Sequence, residues 1–175
     1  MNDSQMYRLS ETGQSRRRAV MGFTLIEMIV AMAVMVILAA VAMPGFVAFI
    51  EDHRVSTRAN GLMGSLNLAR SEAIKRGQPA SLSEEAGGFD EGWCVHTGAA
   101  CGADTEVRRE PADADVTIVT AETIVQFDAR GARLVPAADA VFTVRPKACG
   151  SGQERMLVLT VGLSGRVTMD RGVCP

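Results

Sequence analysis

Hydrophobic side chains are concentrated near the start of the chain, in the run GFTLIEMIVAMAVMVILAAVAMPGF at residues 22–46. Residues 28–50 carry no charged side chain, and about 20 apolar residues are enough for a helix to cross the hydrocarbon core of a membrane. The pattern therefore predicts a membrane-spanning helix. Glu27 near its start and Pro44 near its end are unusual there, and Pro44 predicts a kink or local melting.

After residue 50 the hydrophobic pattern changes to that of one apolar face on an α-helix, with spacings of three and four residues. The positions of this stripe are Leu62, Leu66, Ala69 and Ala73. The segment RGQP at 76–79 ends the pattern, with Gly77 expected as the cap and Pro79 as the stop. An apolar stripe needs cover, so we expect a sheet to pack on this half of the helix.

Short segments rich in β-branched and apolar residues follow the helix and predict strands. They lie at 92–97, 116–119, 122–127, 140–145, 156–162 and 165–169. The segment DARGAR at 128–133 predicts a turn, and the acidic or glycine-rich segments at 83–92 and 109–115 are interpreted as linkers. The predicted fold class is α+β, with one long N-terminal helix packed on an antiparallel β-sheet.

Charge is distributed unevenly along the chain, which has a net charge of -2 overall. Residues 1–22 carry a net charge of +2, and the three arginines at 16–18 come just before the apolar run. Positively charged flanks remain on the cytoplasmic side of a membrane. We therefore expect a single pass through the bacterial inner membrane, with the N-terminus cytoplasmic and the C-terminal part periplasmic.

All four cysteines follow the apolar run, at Cys94, Cys101, Cys149 and Cys174. An even number in one region favours disulfides in an oxidising compartment, with three possible pairings. Zinc sites usually contain closely paired ligands, which these spacings do not provide, so no metal site is predicted.

One pair of residues near the cysteines bears on catalysis. Cys94 and His96 would share a strand face and could form a catalytic pair, but we favour a disulfide cysteine beside a surface histidine. No set of nucleophile, base and acid is evident in the sequence. We therefore expect neither an enzyme nor a bound cofactor.

Three interpretations of the N-terminus compete. It could be a cleaved secretory signal with small-residue sites at 31–33 and 40–42, a plain anchor, or a leader that ends before the apolar run. A carboxylate inside the run costs about 2–3 kcal/mol in the membrane. A disposable signal or a passive anchor gains nothing from that cost, so Glu27 favours an interpretation in which its carboxylate pairs with another group. Cleavage after Gly22 would give Phe23 an α-amino group four residues before Glu27, on one helix face.

The motif GFTLIE followed by an apolar helix resembles the class III signal of type IV pilins and type II secretion pseudopilins. The resemblance implies cleavage between Gly22 and Phe23 by a prepilin peptidase, followed by N-methylation of Phe23. It implies that Glu27 pairs with the N-terminus of a neighbouring subunit during assembly, and Pro44 stands where pilins commonly have proline. The start of translation could be Met1 or Met6.

Further segments resemble the GspH/FimT subfamily of minor pilins: LMGSLNLARSEAIKRGQP, GWCV, IVQFDARGAR and LTVGLSGRV. The resemblance implies a leader at 1–22, a transmembrane and filament-core helix at 23–50, an amphipathic helix at 51–79 and a periplasmic β domain at 80–175. It also implies a disulfide that ties the chain end to the sheet, so we expect Cys149 to pair with Cys174 and Cys94 with Cys101.

The same resemblance indicates the partners of a structural subunit. They are other pilin or pseudopilin subunits, the prepilin peptidase and N-methyltransferase, the inner-membrane assembly platform, and membrane lipid before assembly. The subunit would serve a type IV pilus or a type II secretion pseudopilus, and would move from the inner membrane into the filament.

DNA uptake is the alternative function, because residues 145–175 carry a net charge of +3 and basic surfaces attract phosphates. FimT-like proteins bind DNA through a G-R-x-R stretch, for which this chain has GRVT at 165–168. Arg166 matches, but Thr168 replaces the second arginine, and Arg171 could substitute only if the fold brought it close. An ordinary solvated edge strand would explain the same charges.

Overall fold

The computed structural model describes residues 23–102 and 104–175, so the predicted leader at 1–22, including Gly22, lies outside the described residues. One long helix comes first and nine strands follow it. The helix is α1 (Leu25–Arg76), and the strands are β1 (Ala80–Glu85), β2 (Gly88–His96), β3 (Glu106–Pro111), β4 (Val116–Val119), β5 (Ile124–Phe127), β6 (Arg133–Val135), β7 (Ala140–Pro146), β8 (Met156–Val161) and β9 (Val167–Gly172). This order confirms the predicted α+β class.

The strands form two antiparallel sheets where the sequence predicted one. Sheet A has five strands in the order β3-β2-β1-β5-β6, and sheet B has four in the order β4-β7-β8-β9. Every pairing is antiparallel. Sheet membership depends on which strands meet in space, and alternation along each strand carries no information about that.

Both ends of α1 have the caps that their residues favour. Thr24 precedes the first helical residue, and its hydroxyl accepts a hydrogen bond from the Glu27 amide at 3.2 Å. At the other end Gly77 has a φ of 65°, which suits glycine after a last helical residue at Arg76. The helix continues through positions 44 and 45, so the kink at Pro44 stays a prediction.

The second half of α1 buries the predicted stripe. Leu62, Leu66, Ala69 and Ala73 have no exposed surface at all, and Ala59 and Val55 extend the stripe one and two turns toward the N-terminus. These residues form one hydrophobic core with the inward faces of both sheets. Period-3.6 patterning therefore predicted the buried face of this element correctly.

Aromatic rings fill the space between the two sheets. The Phe89 ring of β2 meets the Phe142 ring of β7 edge to face, with ring centres 5.0 Å apart, which is a favoured aromatic geometry. Trp93 and Phe127 are also fully buried in this core. Sheet A and sheet B are thus joined by side-chain packing as well as by the helix that both cover.

Three strands were not predicted: β1, β3 and β6. Strand β1 has the sequence ASLSEE, which has little β propensity, yet it lies at the centre of sheet A between β2 and β5. Its position comes from pairing on both sides, which outweighs local preference. The predicted linker at 83–92 is in fact the β1–β2 hairpin and the first part of β2, and the predicted linker at 109–115 begins inside β3.

Candidate functional site

The first half of α1 presents an uncovered apolar surface. From residue 23 to residue 43 every side chain is exposed, and Phe23 itself is 78% exposed. Among the described residues, this is the one helix long and apolar enough to cross a membrane, judged by length and composition. So large an apolar surface needs lipid or other helices around it.

Glu27 lies in the first turn of this helix and is exposed like its neighbours. Its amide donates to the Thr24 hydroxyl, so Thr24 and Glu27 have the spacing of a helix-capping box. A carboxylate in the first turn also interacts favourably with the helix dipole. The sequence motif had pointed to Glu27 for assembly, and the structure adds a local role for Thr24 that the motif did not single out.

Just past the charge-free run, Arg155, the residue before β8, joins the helix to sheet B. Its guanidinium donates to the Asp52 carboxylate at 2.6 Å, to the Glu51 carboxylate at 2.8 Å and to the Ala48 carbonyl at 3.1 Å. The hydrogen bonds to Asp52 and then to Glu51 raise the pKa of Arg155 above its ordinary value. Charged side chains therefore anchor the helix to the β domain where the charge-free run ends.

The structure contains two disulfides. Cys94 is bonded to Cys101 and Cys149 to Cys174, and the described residues include no free cysteine. The second bond ties the last residues of the chain to the segment before β8, where the Cys174 amide also donates to the Gln153 carbonyl at 2.8 Å. These are the pairs expected above.

His96 lies beside the first disulfide and is fully buried, although the sequence suggested a surface position. Its two ring nitrogens contact the Ser83 hydroxyl at 2.8 Å and the Gly98 carbonyl at 3.0 Å. The nitrogen and sulfur atoms of Cys94, His96 and Cys101 lie within 4.8 Å of one another. Because the sulfurs are bonded to each other and both nitrogens have partners, this cluster offers neither a thiolate nucleophile nor a free ligand set.

Arg166 and Arg171 are not brought together. Arg166 is exposed in the turn before β9, whereas Arg171 is near the far end of β9, about 16 Å along the strand at 3.3 Å per residue. Thr168 and Arg171 are three residues apart in an extended strand and therefore point to opposite faces. Arg171 lines a cleft with Asp52 and Glu154, so it does not replace the arginine missing at Thr168.

A different arginine stands near Arg166. The turn before β9 touches the turn before β6: a Cβ on Gly165 would overlap the carbonyl oxygen of Gly131. From the helix, Arg70 donates to the Gly131 carbonyl at 2.9 Å and to the Ser164 carbonyl at 3.1 Å, which holds both turns. Arg130 is exposed on the first turn and Arg166 on the second.

We call Arg70, Arg130 and Arg166 the basic tip. Sequence reasoning did not find this group, because Arg70 and Arg130 are distant from the GRVT stretch along the chain. One carboxylate, that of Asp128, lies on the first turn and accepts hydrogen bonds from the Arg130 and Ala132 amides. The tip thus places exposed positive charge on two adjoining turns.

Comparisons with known proteins match most of the chain. The model of the family described as type II transport protein GspH matches residues 58–165, and that of the prokaryotic N-terminal methylation motif matches residues 18–43. No curated protein matches the chain.

Two solved structures resemble the fold, both of the type IV minor pilin FimU of Pseudomonas aeruginosa strain PAO1. In one crystal form the identity is 22%, the TM-score is 0.57, and the match covers 70% of this chain and 92% of FimU. In the other the identity is 21%, the TM-score is 0.55, and the coverage is 66% and 91%. These likenesses show a shared pilin-like fold.

Proposed function

The chain belongs to the GspH family, and from that membership we propose how it is processed, stored and assembled. With the N-terminal methylation motif, the family places it as a minor pilin or pseudopilin, a structural subunit of a type IV pilus or a type II secretion pseudopilus. Such subunits assemble with other pilin subunits after prepilin peptidase processing. The apolar N-terminal helix suggests membrane anchoring.

The observation that carries the proposal is the division of α1 into two halves. The second half is buried in the subunit's own core, whereas the first half exposes apolar side chains throughout. That surface suits two environments in turn, the inner membrane before assembly and the packed helices of a filament afterwards. We place the N-terminus in the cytoplasm and the β domain in the periplasm, as the arginines at 16–18 favour.

Processing is proposed to cut between Gly22 and Phe23 and to methylate the new N-terminus. The cut would place an ammonium group one turn from Glu27. An incoming helix would then be positioned when its Glu27 carboxylate meets the amine of a neighbour, because an unmatched carboxylate among apolar helices is costly. The inner-membrane assembly platform would extract the subunit from lipid.

Mass spectrometry of the mature N-terminus tests this processing. We expect the mature chain to begin with methylated Phe23. A Gly22→Val variant, altered only before the cut, should remain in the full-length form. A mature chain that begins within the apolar run, at Val34 or Met43, would instead show a cleaved secretory signal and would contradict the proposal.

DNA binding is a second candidate, and the basic tip is the observation that favours it. Exposed guanidinium groups on adjoining turns suit a phosphate backbone, which gives binding that weakens as salt rises. We expect the full-length protein in detergent micelles to shift duplex DNA on a gel at low salt. Arg130→Gln and Arg166→Gln should each lower the slope of affinity against salt by about 1.

Arg171→Gln is the matched control for this DNA experiment, because it removes an exposed arginine from a different part of the β domain. It should leave the salt slope unchanged. Absence of a shift at low salt, or an equal effect of all three variants, would rule out the basic tip as the DNA contact.

A further inference from the structure

A cleft of about 220 Å³ opens between α1 and the end of edge strand β3. Its lining residues are Thr57, Arg58, Gly61, Trp93, Glu110, Pro111, Ala112 and Asp113. Helix residues form one wall and the β3–β4 connection forms the other. None of them belongs to the exposed apolar stretch at 23–43 or to the basic tip.

Two buried donors of this cleft have no hydrogen-bond partner among the described residues. One is Nη2 of Arg58 and the other is Nε1 of Trp93, in side chains that are 9% and 1% exposed. The guanidinium carbon lies 3.9 Å from the centre of the indole ring, so the two donors belong to stacked groups. Buried donors normally have an acceptor, which points to an oxygen atom that enters the cleft.

Arg58 is already fixed on its other side. Its Nη1 donates to the Pro111 carbonyl at 2.5 Å, which aligns the guanidinium plane between the helix and the end of β3. Burial lowers the pKa of Arg58, and the nearby Asp113, Glu110 and Asp90 carboxylates act in the opposite direction. The free donor is therefore held in place before any ligand arrives.

The charges around the cleft select the ligand. Three carboxylates surround one guanidinium, so an anionic ligand would be repelled. A neutral carbonyl oxygen can accept from both donors, since it has two lone pairs. Glu110 is already paired with Arg108, so a cationic group next to that carbonyl would be attracted mainly by Asp113.

We propose that this cleft binds a peptide segment of another protein, with a main-chain carbonyl on Arg58 and Trp93 and an adjacent lysine or arginine side chain at Asp113. The edge of β3 is unpaired on this side of sheet A, which leaves room for an extended segment alongside it. We take the peptide to come from a neighbouring filament subunit. This source alone rests on the proposed function.

The chain has a single tryptophan, so its one indole N–H signal in a nitrogen–proton NMR spectrum reports directly on the proposed contact. The probe is N-acetyl-lysine N′-methylamide, added to the full-length protein in micelles. We expect a saturable shift of the indole signal at millimolar concentrations. The glycine analogue should bind about tenfold more weakly and the glutamate analogue should not bind.

Variants test separately the Asp113 carboxylate and the Arg58 donor of the cleft. Asp113→Asn keeps the acceptor for the Asp115 amide, and it should reduce the affinity for the lysine probe to that for the glycine probe. Asp104→Asn, beyond the other end of β3, is the matched control and should bind normally. Arg58→Lys keeps the positive charge but replaces the planar two-nitrogen fork by a single nitrogen, which cannot bond the Pro111 carbonyl and the probe in the same geometry, so the probe should bind more weakly.

Two results would overturn the proposal. No response to any probe would mean that the donors are satisfied by ordered water only, and preference for the glutamate probe would show an anion site. Both measurements use the isolated protein, so their failure leaves the assembly proposal standing. Conversely, a mature N-terminus other than Phe23 would remove the filament subunit as the source while probe binding persisted.

Discussion

The backbone of Glu27 takes part in the helix cap, and its side chain is proposed to take part in assembly. Its backbone amide completes the cap at Thr24, and its carboxylate is proposed to meet the amine of a neighbouring subunit. The cap needs a residue compatible with the first helical turn, whereas assembly needs a negative charge. A glutamine at this position suits the cap but lacks the charge.

We therefore expect Glu27→Gln and Glu27→Ala both to reduce the share of subunit in sheared filaments, while the share inserted in the membrane stays normal. Thr24→Ala, which removes the capping hydroxyl and keeps the charge, should still assemble once its N-terminus is confirmed to be processed. Normal assembly of Glu27→Gln would show that the charge is not needed.

Residues that act together can be predicted from the sequence when they lie within one short motif. GFTLIE contains Glu27 and the proposed cleavage site in six consecutive positions, and Thr24 lies inside the same motif. The neighbours Arg130 and Arg166 could not be predicted, because two turns far apart in the chain meet only in the folded structure. The stacking of Arg58 on Trp93 depends in the same way on tertiary packing.

At the element scale, the last turns of α1 combine capping with charge pairing. Glu72 is largely buried and accepts from Arg76 at 2.7 Å, and Lys75 lies 3.6 Å away. The hydrogen bond from Arg76 is the main cause that lowers the pKa of Glu72 below 4.5. Cationic side chains also suit the negative end of the helix dipole.

This lowered pKa predicts how acid affects the helix end. The unfolded state binds the proton of Glu72 more readily, so the stabilisation is present above pH 4.5 and is lost as the pH falls through the folded-state pKa. In urea titrations followed by Trp93 fluorescence, wild type should lose stability more steeply below about pH 4.5 than Glu72→Gln.

Glu91→Gln is the matched control for the acid titration, because Glu91 is exposed and forms no ion pair within residues 23–102 and 104–175. Its pH dependence should follow that of wild type. Parallel curves for wild type and Glu72→Gln would show that the contact with Arg76 does not stabilise the folded state.

Elements with strong periodicity were predictable and those placed by their neighbours were not. The stripe from Leu62 to Ala73 is buried as its spacing requires. Strand β1, by contrast, is defined by ladders to β2 and β5, and ASLSEE alone does not indicate a strand. The last strand β9 was found because its alternating residues resemble those of an ordinary strand.

At the scale of the whole molecule, the two disulfides should contribute unequally to stability. Cys149 and Cys174 are 25 residues apart, and Cys94 and Cys101 only 7. Because a longer loop restricts the unfolded chain more, loss of the Cys149–Cys174 bond should cost about 3.5 kcal/mol and loss of the Cys94–Cys101 bond about 2.4 kcal/mol.

Paired serine variants at each disulfide, compared by urea unfolding in micelles, measure this difference. Each variant is the control for the other, since both remove two sulfur atoms and one bond. A larger loss from the Cys94 and Cys101 variant would mean that packing around His96, and not loop length, determines the contribution.

The even number of cysteines predicted disulfides but not which cysteines pair. The pairing of Cys149 with Cys174 depends on the folded chain end, where the Cys174 amide donates to the Gln153 carbonyl.

The buried stripe of α1 also determines how the subunit responds to tension. If a filament is pulled along its axis, force enters the β domain through a helix that lies lengthwise on both sheets from Val55 to Ala73. Sliding such a helix requires many side chains to leave their positions at once, and Arg155 adds ionic contacts at its entry point. Force applied along the helix in this way would load its contact with the sheets in shear, so many side chains would resist it together.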